Sequence, residues 1–144
     1  MTDSGRPVRL AAFGRPGRWF RGNIHAHSTN SDGHASPQEV VERYRRQGYH
    51  FVAVTDHFIE RYRFPITDTT PWRSPDFVTV LGAELHLPAL ANGEPWHILA
   101  VGLPPDFAPP RPGETAPELA ARAADAGAFV GLAHPTWYGL TLDD

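Results

Sequence analysis

Eight histidines and no cysteine set the chemistry open to this 144-residue chain. Five of the histidines stand, with acids beside them, where apolar runs begin or end. His25-Ala26-His27 is followed five residues later by Asp32. On an extended strand residues i and i+2 face the same way, so two imidazoles can chelate one cation. Thr55-Asp56-His57 follows the apolar run 51–54. Gly82-Ala83-Glu84 follows the run 77–81, with His86 two residues on. His97 opens the run 97–101, and His134-Pro135 closes the run 128–133. A single histidine of this kind is most often a satisfied edge residue. An acid at the close of an apolar strand, however, is costly unless it is paired or holds a cation. Taken jointly, the pattern points to a metal centre built from His25, His27, Asp32, His57, Glu84, His97 and His134. Its donors are nitrogen and oxygen only, which suits Zn, Mn or Fe. They outnumber what one tetrahedral ion can use, so the expected site is multinuclear, with Glu84 placed to bridge. Paired ions clamp the attacking and leaving oxygens of a displacement and generate hydroxide near neutral pH. That is the chemistry of phosphoester hydrolysis or a related hydrolysis.

The elements that must position these residues read as α/β. Ser36-Pro37-Gln38-Glu39 has the form of a capping box with proline at the first helical position, and Val40, Val41 and Tyr44 make an apolar stripe that Gly48 ends. Together with the segment around 19–27 before it and the strand 51–54 after it, this helix forms a βαβ unit and implies a parallel sheet. Residues 59–76 read as loop. Strands are expected at 77–81, 97–101 and 128–133, the second returning antiparallel after a Pro- and Asn-Gly-containing link. Thr115-Ala116-Pro117-Glu118 opens a second helix that Gly127 ends. Residues 1–18, dense in Gly and Pro, read as a flexible leader to a domain spanning 19–144.

Composition excludes other classes. Hydrophobic residues make up 41% and charged residues 20%, a globular profile. All 13 basic residues are Arg, and the net charge of −3 argues against long nucleic acid as a partner. Without cysteine there are no disulfides, thiolate sites or thiol nucleophiles. No apolar run approaches a membrane span or a secretory signal, so a cytoplasmic location is the expectation.

The segment GNIHAHSTNSDGHASPQEVVERYRRQGYHFVAVTDH resembles the two opening motifs of the PHP (polymerase and histidinol phosphatase) metallohydrolases. GAELH, HILAVGL and LAHP resemble the later motifs in their order. The flanking RWFRGN and HPTWYGLT resemble most the branch that includes carbaryl-type hydrolases. The resemblance covers about residues 19–142. It implies a distorted barrel of seven β/α units, of which this chain corresponds to the N-terminal part, because the family's closing Asp-x-His motif has no match here. It further implies that His25 and His27 bind a first ion, that Glu84 bridges to a second held by His97 and His134, and that Asp32 and His57 serve a third. Glu84 and Asp56 are assigned to the catalytic machinery, Asp56 by orienting the neighbouring ligands. The implied activity is metal-dependent phosphoesterase, with two or three divalent ions in a complete domain and a small phosphate ester as substrate. Carbamate or ester hydrolysis, exonuclease action and a non-catalytic metal-binding module are the alternatives. A strand edge left open after His134 leads to an expectation of self-association. His34 and His50 are expected at the surface. Arg61, Arg63 and Arg73 are candidates to grip a phosphate, although solvated loop charges are the commoner case.

Overall fold

The computed structural model describes residue 14, residues 16–88, residue 90 and residues 92–141. Most of the expected leader, residues 1–13 and 15, lies outside the described residues. The first strand is short: β1, Gly22–Asn23, pairs parallel with β2, Phe51–Val54, in the register Gly22↔Phe51. Between them runs α1, Pro37–Arg46. The Ser36 amide and hydroxyl both donate to the Glu39 carboxylate, at 2.8 and 2.9 Å, which completes the capping box expected from sequence. Gly48, at φ +73°, provides the left-handed residue just past the helix end. The apolar stripe of α1 buries Val40 and Val41 against Val52, Val54 and Phe77.

The strand β3, His57–Phe58, is two residues long, and β4 runs from Val78 to Leu87. β4 departs from the expected 77–81. It continues six residues past Leu81, through Gly82 and the charged Glu84, because it changes partners along its length. Residues 78–81 pair parallel with β2, residues 84–85 pair parallel with β3, and residues 82–87 pair antiparallel with β5, Trp96–Val101. The return of β5 by a hairpin-like link matches the sequence reading. A Cβ on Gly82 would lie 2.6 Å from the Ala100 carbonyl oxygen, so this crossing point requires glycine.

Helix α2, Ala116–Asp125, is opened by Thr115, whose amide and hydroxyl each donate to Glu118 at 2.8 Å. It packs Leu119 and Ala123 into a second core with Phe58, Leu85, Ile98 and Ala100. The last strand, β6, Phe129–Leu132, pairs antiparallel with β5 and is one residue shorter at each end than expected. The sheet order is β1-β2-β4-β5-β6, with β3 on β4. The result is a mixed α/β sheet in which β1-α1-β2 is a parallel crossover made by an α-helix, the parallel β2-to-β4 connection has none, and the sevenfold β/α repeat is not visible among the described residues. On β6, Phe129 is 63% and Leu132 52% exposed. No helix among the described residues is long and apolar enough to cross a membrane.

Candidate metal centre

Parallel pairing aligns His57 with Glu84, and antiparallel pairing aligns His86 with His97. Residues two apart on β4 share a face, so His57, Glu84, His86 and His97 project from one side of three adjacent strands. His25 and His27 reach the same place from the extended chain beyond β1. They are not on a strand, contrary to the sequence expectation. The chain there is held instead by Thr55, whose amide donates to the Ala26 carbonyl at 2.7 Å. Gly33 lets the following turn close over this segment, since a Cβ on it would meet the His27 carbonyl carbon and oxygen at 2.6 Å.

Glu84 is wholly buried and lies in the interior of β4, not at its close. Its two oxygens face different imidazoles. Oε2 is 3.3 Å from His25 Nε2, 3.3 Å from His27 Nε2 and 3.0 Å from His57 Nδ1. Oε1 is 2.8 Å from His97 Nδ1 and 3.0 Å from His134 Nε2. Burial pushes the Glu84 carboxyl up, but His25, His27, His57 and His97 together outweigh it and hold the carboxyl far below the usual range. Despite those close nitrogens, Oε2 makes no aligned hydrogen bond, and His134 Nδ1 is likewise a buried atom without a hydrogen-bond partner. Burial also disfavours charge on His57, yet Glu84 and Asp32 together raise its pKa above the ordinary histidine value.

These residues fit a cation. His25 Nε2 and His27 Nε2 are 3.2 Å apart, which with the two 3.3 Å distances to Oε2 makes a nearly equilateral triangle. Donors 2.0–2.1 Å from a tetrahedral ion stand roughly 3.3–3.4 Å apart, so the triangle has the dimensions of one face of such a tetrahedron. Two further donor groups are close enough to share an ion: His27, Asp32 and His57, and His57, Glu84, His86 and His97. His134 stands outside these groups, with its Nε2 toward Glu84 Oε1 and its ring against those of His25 and His97. All seven metal candidates from the sequence therefore converge.

Asp56 does not join them. It is fully buried and accepts from the Ser28 amide and from the hydroxyls of Ser28 and Ser31, all at 2.7 Å, and from the Thr67 hydroxyl. It ties the turn leading to Asp32 to the loop after β3. Of the loop arginines, Arg73 donates to the Thr79 carbonyl at 3.0 Å and Arg61 lies over the Tyr62 ring; no contact places either at the centre. His34 and His50 are exposed, as expected. His86, which the sequence puts on the face of Glu84 only if the strand continues and which was not among the candidate ligands, has its Nε2 2.7 Å from His57 Nδ1. Burial, and then the neighbouring His97, push its pKa down to about 3. Tyr138, also unassigned, stacks on His97 with ring centres 4.2 Å apart. Beside His27 opens a cleft of about 580 Å³ lined in part by Arg21, His34, Arg43 and Tyr44.

A two-domain protein from Bacteroides vulgatus, containing an inferred PHP-like metal-dependent phosphoesterase, superposes on 87% of this chain with a TM-score of 0.60 at 20% identity. The fold is PHP-like. An amidohydrolase from Chromobacterium violaceum, solved with bound sulfate and no metal, shares this PHP-like fold over 85% of the chain, with a TM-score of 0.58 at 14% identity. An inferred metal-dependent phosphoesterase from Bifidobacterium adolescentis matches 60% of the chain at 26% identity and a TM-score of 0.45. The chain spans 29% of the Bifidobacterium protein, 38% of the Bacteroides protein and 70% of the Chromobacterium protein. No family model and no curated protein matches it in sequence.

Proposed function

We propose that this chain carries the metal-holding part of a PHP-type metal-dependent hydrolase whose substrate is a small phosphate ester. One observation bears most of the weight: a wholly buried carboxylate presents one oxygen to the imidazoles of His25, His27 and His57 and the other to those of His97 and His134. That arrangement suits a bridge between two divalent ions, of the Zn, Mn or Fe kind, with His25 and His27 on one and His97 and His134 on the other. Asp32 and His57 suit a third. Bound ions would activate water and neutralise the charge that develops on the phosphoryl oxygens. The protein's own part is to hold donors in place before the substrate arrives. Asp56 anchors the turn that carries Asp32, and the paired strands fix His57, Glu84 and His97 on one face. Arg21 and Arg43 line the cleft beside His27, and guanidinium groups suit a phosphate by bidentate hydrogen bonds. The net charge of −3 favours a small ester over a nucleic acid strand.

The flanking RWFRGN and HPTWYGLT support a second reading, a carbamate or carboxylic ester, because activated water attacks a carbonyl as readily. The test has two parts. Elemental analysis of the purified chain should find Zn, Mn or Fe, and His27→Ala should lower the content; unchanged stoichiometry overturns the centre. A domain extended to the length of its structural neighbours should then hydrolyse p-nitrophenyl phosphate in preference to a naphthyl carbamate. The reverse preference selects the second reading. Hydrolysis of neither by a metal-loaded domain selects a binding module.

A further inference from the structure

The contact between His57 and His86 is of a different kind from the others in the cluster. His25, His27 and Glu84 Oε2 stand 3.2–3.3 Å from one another, the spacing of donors around a shared ion. His57 Nδ1 and His86 Nε2 are 2.7 Å apart, a hydrogen-bond distance that is too short for two donors on one tetrahedral ion. His57 turns its other nitrogen, Nε2, to Asp32 Oδ2 at 3.2 Å. An imidazole that offers a lone pair to a cation through Nε2 must carry its proton on Nδ1, and that proton needs an acceptor. Glu84 Oε2 is in range of Nδ1, at 3.0 Å, but it makes no aligned hydrogen bond. His86 Nε2 is both in range and aligned. Its ring is held in place across the strand pair by His97, with ring centres 4.1 Å apart.

We infer that His86 is a positioning residue, which accepts the Nδ1 proton of His57 and so presents His57 Nε2, unprotonated, to Asp32 and the ion that the two would share. The usual acceptor behind a ligating histidine is a carboxylate or a backbone carbonyl. Here a neutral imidazole takes that place, and the charge of Glu84 stays undivided for the ions it bridges. The inference rests on the metal-centre reading above.

The experiment uses residues 1–144 labelled with ¹⁵N-histidine and loaded with zinc. NMR should show His57 protonated at Nδ1, with a ¹⁵N–¹⁵N coupling through the hydrogen bond to His86 Nε2. Zinc affinity is then measured by chelator competition for the parent, His86→Leu and His86→Gln. The ion that perturbs His57 Nε2 should bind about 10–100-fold more weakly in the leucine variant. Glutamine, whose amide oxygen can accept, should recover most of that loss. The ion that perturbs His25 should be unchanged within a few-fold. Zinc-loaded His57 protonated at Nε2, a leucine variant with parental affinity, a glutamine variant as weak as leucine, or equal weakening of both ions overturns the role of His86. If the leucine variant does not fold, the coupling in the unmutated protein decides. A parent that takes up no zinc overturns the metal centre itself, and with it this inference. Zinc bound at His25 with His57 indifferent to position 86 overturns this inference alone.

Discussion

Glu84→Gln should cost the chain at least one bound ion and leave the fold in place. The amide keeps the shape of the side chain and removes its charge. Five imidazole nitrogens lie 2.8–3.3 Å from the carboxylate, divided between its two oxygens. Two dications at the ~3.5–4 Å of a two-metal site repel by roughly 17–19 kcal/mol at an effective dielectric constant of about 20. One carboxylate charge about 3 Å from each offsets this by roughly 22 kcal/mol on the same scale. Without that charge the two ions cannot be held together, and the ion that remains keeps only neutral donors from this triangle. The expected result is a stoichiometry lower by at least one per chain, with the remaining affinity weakened by at least ~100-fold, equivalent to about 2.7 kcal/mol. Elemental analysis gives the count, and chelator competition gives the affinity. Circular dichroism confirms the fold, and Asp106→Asn, in an exposed Pro-rich loop, is the control. Two ions bound with parental affinity in the glutamine variant would refute the bridge, and Glu84 would be a buried acid paired to histidines and nothing more.

Asp56→Asn turns an amide donor toward at least one of three hydroxyls and a backbone N–H that now donate to the carboxylate. It should destabilise the chain by about 3–5 kcal/mol in urea titration; a loss under 1 kcal/mol would mean the network is not held. Gly33→Ala places a methyl group 2.6 Å from the His27 backbone, so it should cost about 1–3 kcal/mol and lower the ion content together with stability. Parental ion content in that variant would show that the turn does not fix His27. For the metal-free protein the sign of the pH dependence follows from His86. Its folded pKa, about 3, lies below an unfolded value near 6.5, so the unfolded chain binds the extra proton and stability falls as pH drops below 6.5. Between pH 6.5 and 5 His57, raised in the folded state, and Glu84, lowered from 4.5, add only small slopes of opposite sign, confined to the two ends of that window. Because His86 is partly exposed, the loss across that window should be about 1–2 kcal/mol, and His86→Asn should abolish it. Superimposable profiles for parent and variant would show that His86 is not held neutral.

Most of the candidate ligands were legible in the sequence because they stand at the ends of apolar runs; Asp32 was read by its spacing from His27. His57 follows the buried β2, His134 follows β6, and an acid placed after the apolar run 77–81 demands a partner for its charge. The length of β4 was not legible, because Gly82 and Glu84 read as the end of a strand until the imidazoles that neutralise Glu84 are in place. His86 was left out of the candidate ligands for the same reason: its facing toward Glu84 depends on the strand continuing. Asp56, beside His57, reads as a group that orients the ligands, but its partners Ser28, Ser31 and Thr67 are not legible. Two of those hydroxyls lie more than 20 residues away, and nothing in local spacing announces them. The cleft that includes Arg21 and Arg43 likewise depends on how the chain before β1 packs on α1.

β4 gives Ala83, Leu85 and Leu87 to one hydrophobic core and is joined to the other through β2. Its first half is zipped to β2, above the cluster that α1 closes, and its second half to β5, above the cluster that α2 closes. Glu84 sits two residues beyond the glycine at which the strand passes from one to the other. A displacement in either cluster therefore moves the same rigid rod, at one end of which the histidines gather. Cations that bind only the assembled form would act as a clasp on the whole chain, and α1 and α2, though they do not touch the ions, would open and close together.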